Sequence, residues 1–253
     1  MLNDFLTLNI FAFFLVFARV GTAIAFLPGF GSSYVSARIR LVFGLALTLI
    51  LTPLLMDILP EQPTNLMETI LMFAGEVVVG GFLASIAIIL IAILQMTGTF
   101  VSLFASMANA LVQDPVTEQQ TSTISSFFGI VGLIAVFAAD LHHLMIRSVI
   151  DGYMLFVPGQ PLIFGDFSES ISRRLADAFA LGLQLAMPVA LVSLIYYIGL
   201  GILGRLMPQL PVFFFGLPFQ LTLQIWIMAI TVSGIMIVFL RHFAETYALY
   251  IAS

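Results

Sequence analysis

Ionisable side chains are scarce in this chain, so the places where they gather are where chemistry could occur. The densest group is Asp140, His142, His143 and Arg147. A carboxylate and two imidazoles at short spacing could ligate a metal. In an intramembrane hydrolase or lipid-modifying enzyme they could move protons. The spacing speaks against a metal. Neighbouring histidines on a helix point about 100° apart, because one turn takes 3.6 residues, and the HExxH pattern is absent. Asp140 with His143, and His143 with Arg147, could each share a face. The expectation is a hydrogen-bonded helix end, with no metal, no cofactor and no catalytic residue. A nucleophile elbow and a glycine-rich phosphate loop are also missing.

Two further charges, Arg19 and Glu76, fall inside apolar segments. A charge at the centre of a membrane helix costs at least a few kcal/mol, so each must face protein or water and have a partner. An ion or proton relay is one reading; a structural pair or subunit contact is the other. The third feature is a polar interruption at 106–126, SMANALVQDPVTEQQTSTISS. It carries Asn109, Gln113, Asp114, Pro115, Glu118 and Gln119, with the adaptable side chain of Met107 beside them. Residues 69–94 hold one charge, Glu76, and residues 127–139 hold none. Polar backbone at membrane depth survives only where protein or water satisfies it. The interruption is either an ordinary aqueous loop or the lining of a water-filled path. The reading adopted is a segment that closes a pore, with 106–123 as the plug and 1–253 as one membrane-embedded domain around it.

Composition sets the class. The chain is 61% hydrophobic and 8% charged, where a soluble domain carries about a quarter charged residues. An integral membrane protein follows, in contact with a lipid bilayer. Cysteine is absent, and all eight basic residues are arginine. No basic cluster points to nucleic acid. Asp4 stands where a cleavable signal would place basic residues, so the first apolar segment is expected to be retained.

An all-α fold of about six long hydrophobic helices, arranged as hairpins, must position these groups. Segment 1 runs from Phe5 to Leu27 and stops at Pro28-Gly29-Phe30-Gly31. Segment 2 covers Ala37–Met56. Asn65 with Glu68 resembles a capping box opening segment 3. That segment, Leu66–Phe104, would reach about 58 Å as one helix, against a hydrocarbon core of about 30 Å. Either it breaks near Gly98 or it protrudes beyond one leaflet. Segment 4 runs from Ser122 to Arg147. Segment 5, capped by Asp166 or Ser168, reaches Leu203 and is expected to kink at Pro188. A turn over Arg205–Pro218 leads to segment 6, Phe219–Ile251. Helices this long favour packing on protein partners. Orientation stays open: a cytoplasmic N-terminus puts Arg147, Arg173, Arg174 and Arg241 inside, and the opposite puts Arg38, Arg40 and Arg205 there. The glycines at 80–81, 129, 132, 199, 201 and 204 suit close helix packing.

Several of these stretches, in order, resemble the FliR family and its virulence-secretion counterparts in the type III export apparatus. They are Phe17–Gly21, Pro28–Gly31 and Arg38; Gly75-Glu76 with Gly80-Gly81, similar to an E-x3-G signature; Gly98 and Asp114-Pro115; and His142-His143 with Ser148, Tyr153 and Pro158. The run Pro188, Gly199, Gly201, Arg205, Pro208-Gln209, Val212-Phe213 and Gly216-Leu217-Pro218 completes the set. The chain departs from the family pattern at Pro211, near Gln220 and near Tyr196-Tyr197.

The resemblance implies a non-enzymatic, single-copy subunit of a hetero-oligomeric export gate in the bacterial inner membrane, at the flagellar basal body. FliP-like and FliQ-like subunits, and an FlhB-like one, are the implied partners. Unfolded export substrates pass through the channel, and the loop between segments 3 and 4 acts as the plug. A virulence-type gate is the near alternative. A small-solute transporter should instead show inverted repeats and paired broken helices, of which Pro188 is the one hint.

Overall fold

The computed structural model describes residues 2–32, 34–105, 111–113, 120–162, 164–207, 209 and 212–251. Seven helices and two short strands follow in the order α1 (Leu2–Phe26), α2 (Ala37–Leu55), α3 (Leu66–Phe104), β1 (Leu111–Gln113), β2 (Gln120–Ser122), α4 (Thr123–Ala138), α5 (Leu141–Leu155), α6 (Phe164–Leu206) and α7 (Val212–Ala248). Four of the helices, α2, α3, α6 and α7, are long and apolar enough to cross a membrane. A fifth span results if α4 and α5, bent by 75° at their junction, count as one.

The boundaries follow local chemistry. Ser36 caps α2 by accepting from the Ile39 amide (3.4 Å). Asn65 caps α3 through the Met67 amide (3.0 Å). The turn after α1 uses Gly29 at φ 88°, a conformation that favours glycine. Arg40 ties that turn down by donating to the carbonyls of Phe30, Ser32 and Val35.

Of the two alternatives for segment 3 the unbroken helix holds: α3 is one 39-residue helix, with Gly98 at a helix crossing. Four expectations change. Segment 4 breaks, at Asp140, into α4 and α5, so the described residues hold seven helices. The polar interruption holds a small ladder, with β1 and β2 pairing antiparallel in the register Leu111↔Ser122, Val112↔Thr121, Gln113↔Gln120. The last helix starts at Val212 and takes Pro218 inside it. Helix α6 likewise starts before Asp166, which lies in its first turn.

The chain forms two compact units. The first comprises residues 1–90, 136–174 and 243–253, and the second 91–135 and 175–242. Helices α3, α4, α6 and α7 each contribute to both. In the first unit, α1 buries Phe11, Leu15, Arg19 and Ala23 at every fourth position, continued by Leu27 just past its end, with Ala12, Val16, Val20 and Ile24 beside them. That stripe is the core-facing side of a helix, and Arg19 stands in its middle. In the second unit, Val101, Ala186 and Val189 form a buried cluster with Phe100, Phe104, Ile124, Ile227 and Met228 packed against it.

Candidate functional site

In the first unit, Arg19 and Glu76 meet. Arg19 is 0% and Glu76 3% exposed. Arg19 Nε donates to Glu76 Oε2 (2.6 Å) and Nη2 donates to Oε1 (3.0 Å), a two-pronged pair. Nη2 also donates to the Phe156 carbonyl (2.7 Å). The Tyr153 ring lies under the guanidinium, 3.9 Å from centroid to Cζ. Gly80 sits one turn beyond Glu76, and a Cβ there would run into the Arg19 carbonyl oxygen. The E-x3-G spacing thus has a physical meaning: the glycine lets the backbones of α1 and α3 touch, which brings the arginine within reach of the carboxylate. A cavity of about 570 Å³ borders the pair, lined by Arg19, Glu68, Met72, Glu76 and Leu162 among others.

In the second unit the polar segment is hung from a crossing of α3 and α4. A Cβ on Gly98 would lie 2.5 Å from Ser125 Cα, and one on Gly132 would strike the Leu94 side chain. Ser125 Oγ donates to the Gln95 carbonyl (2.8 Å), and Ser122 Oγ caps α4 by accepting from the Ser125 amide (3.1 Å). The root of the segment on both sides, Ser102 and Ser122, is buried. An apolar cavity of about 280 Å³ lies at this root, lined by Val101, Ala105, Thr123, Ile124, Phe127, Gln224, Ile225 and Met228. Between α6 and α7 runs a neutral polar ladder. Gln224 Nε2 donates to Ser193 Oγ (2.5 Å), Gln220 Nε2 to Tyr197 Oη (2.9 Å), and Tyr196 Oη to the Gly216 carbonyl (2.6 Å).

Of the residues proposed for the plug, the backbone of Gln113 lies on β1 opposite Gln120. Met107, Asn109, Asp114, Pro115, Glu118 and Gln119 lie outside the described residues, as does Pro208. Arg205 is exposed in the last turn of α6, and Gln209 is exposed beyond it. His142 and His143 open α5, where His143 Nδ1 is 3.3 Å from the Asp140 carbonyl oxygen. Sequence reasoning gave no role to the glutamine ladder, although Ser193 with Tyr197 and Gln220 with Gln224 share the four-residue spacing of one helix face. It also gave no role to Gln95, whose contribution is a backbone carbonyl and leaves no mark on residue type.

The pattern of bacterial export proteins, family 1, matches residues 10–246. The chain is 31% identical to the flagellar biosynthetic protein FliR of Caulobacter vibrioides over 245 residues, 96% of this chain and 98% of that one. Identity is 29% to the protein of the same name in Bacillus subtilis (93% and 91% covered) and 25% to that of Escherichia coli (83% and 80%). With its length matched almost end to end and its motifs built into the α1–α3 and α3–α4 crossings, the chain belongs to the FliR family of bacterial export proteins.

Proposed function

We propose that this chain is a wall-forming, non-enzymatic subunit of the flagellar protein export gate in the inner membrane, with residues 106–123 as its plug. Export of unfolded flagellar proteins is the function, and FliP-like, FliQ-like and FlhB-like subunits at the basal body are the partners. The observation that carries the reading is the polar segment rooted on the glycine-tight α3–α4 crossing, within a chain of the FliR family. Buried serines at 102 and 122 and the close α3–α4 crossing fix the two ends from which the polar stretch departs. That arrangement suits a closure better than a transport site, which would need ligand groups near the membrane midplane. The Arg19–Glu76 pair suits a structural pin. Its second contacts are a carbonyl and an aromatic face, neither of which hands a proton onward.

Deleting Ser106–Thr121 should leave the gate complex assembled and make cells leak ions. Complex yield is read on native gels after co-expression with the neighbouring export genes, and leak with a membrane-potential dye. An assembled complex with an unchanged potential would remove the plug assignment.

A further inference from the structure

Adjacent side chains diverge along a regular helix and HExxH is absent, yet the side chains of Asp140, His142 and His143 converge at the start of α5. Asp140 sits at the bend between α4 and α5 with a left-handed φ of 57°, and its side chain makes no capping hydrogen bond. The rings of His142 and His143 come to 4.1 Å between centroids, tilted by 37°. One donor atom from each of the three residues lies within 4.8 Å of the other two. We propose that this bend is a binding site for a late first-row divalent cation of the Zn²⁺ kind, held by the Asp140 carboxylate and the two imidazoles, with water in the open position.

The donor set selects the class of ion. Two imidazoles and one carboxylate suit Zn²⁺, Co²⁺, Ni²⁺ or Cu²⁺; Ca²⁺ and Mg²⁺ would require mostly oxygen. A tetrahedral ion holds its ligands about 3.4 Å apart. Closure from 4.8 Å therefore asks for rotation of side chains. Two of the three can rotate freely, since the side chains of Asp140 and His143 are 80% and 70% exposed. The third is already set. His142 stacks on Phe137 (4.9 Å, 11°), Phe137 packs on Phe30 (5.6 Å), and Phe30 stacks on Phe43 (5.4 Å, 3°). A ring fixed by packing is what a preorganised ligand needs. His142 also has an unmet need. Its Nδ1 is buried and, among the described residues, has no hydrogen-bond partner. A buried ring nitrogen without a partner is costly, and an ion at the bend gives the imidazole something to ligate. His143 has the opposite arrangement. Its Nδ1 lies 3.3 Å from the Asp140 carbonyl oxygen and 3.9 Å from the Asp140 carboxylate, so the imidazole and its co-ligand already face each other.

The test is a Co²⁺ titration of the untagged full-length chain in detergent, followed by Zn²⁺ competition. The expected result is one Co²⁺ per chain with the strong visible absorption of a four-coordinate ion, abolished by Zn²⁺. His142→Phe keeps the stack on Phe137, Asp140→Asn tolerates the left-handed backbone, and His143→Gln keeps a polar side chain. Each should weaken binding roughly tenfold or more. A weak, six-coordinate spectrum in the wild type would overturn the proposal. So would the three variants binding like the wild type, which would leave an adventitious ion only. The wild-type titration decides the question even where a variant misfolds.

Discussion

The two units bury polar groups by different means. In the first, a full charge is matched by a full charge, and the guanidinium is enclosed by a carboxylate, a carbonyl and an aromatic face. In the second, neutral amides and hydroxyls link α6 to α7; among the described residues each side keeps an unmet atom, Arg19 Nη1 in the first unit and the amide oxygens of Gln220 and Gln224 in the second. The charged node is close to all-or-none: each half is ruinous alone. The neutral ladder is graded, since losing one rung leaves a modest debt. The first kind of contact pins a crossing. The second lets two long helices adjust against each other with little change in energy.

The largest effect should come from halving the node. Glu76→Ala or Arg19→Ala strands a buried charge, at about 3–5 kcal/mol. The yield of the assembled complex should collapse in each. Arg19→Lys should fail too, since an ammonium cannot reproduce the fork that holds both carboxylate oxygens. The double variant Arg19→Met with Glu76→Leu should recover much of the yield, because a well-packed apolar pair escapes the desolvation cost of two ions. Complex yield and thermal stability in detergent, measured across all four variants, check this. A double variant as poor as the singles would mean that the charges do more than pin the crossing.

Next in size is the α3–α4 crossing. Gly98→Leu places a side chain where Ser125 Cα lies 2.5 Å from the Cβ position, and overpacking of this kind typically costs about 1–3 kcal/mol. The helices must part there, and the root of the polar segment moves with them. Gly98→Leu should therefore raise ion leak while the complex still forms. Gly201→Leu, at a position with open space around it, should leave stability of the isolated chain unchanged. Leak measured beside complex yield separates the two. A tight membrane in Gly98→Leu would show that the crossing does not position the segment.

How far these features can be read in the sequence depends on whether a side chain carries them. That Arg19 and Glu76 each need a partner was legible, because a charge among apolar neighbours demands one; that they find each other was not, since sequence does not say which helices cross. The end of α1 was legible from the proline-glycine turn at 28–31, and the start of α3 from Asn65. The break at Asp140 was not: aspartate in a left-handed conformation looks like any other aspartate in a run of helix formers. Nor was the unbroken α3, since a glycine that permits a helix crossing and one that breaks a helix are the same letter. The β1–β2 ladder escaped for a similar reason, being three residue pairs closed by backbone hydrogen bonds, with no alternation long enough to register.

The smallest effect should lie in the ladder, and there the order of substitutions matters more than their number. Ser193→Ala removes the acceptor for Gln224 Nε2 and leaves a buried amide with neither of its polar atoms satisfied, at about 1–3 kcal/mol. Gln224→Leu removes the amide altogether, including the oxygen that already lacks a donor, and should cost less than Ser193→Ala. The double variant should fall close to the wild type, because replacing both partners by apolar groups of similar shape is nearly neutral. A double-mutant cycle on thermal stability in detergent measures this directly, with a coupling of about 1 kcal/mol expected. If Gln224→Leu proves worse than Ser193→Ala, the unpartnered oxygen has a donor in the assembled protein. The ladder would then be a contact waiting for a partner helix, and the contrast between the two units would be one of assembly as well as of charge.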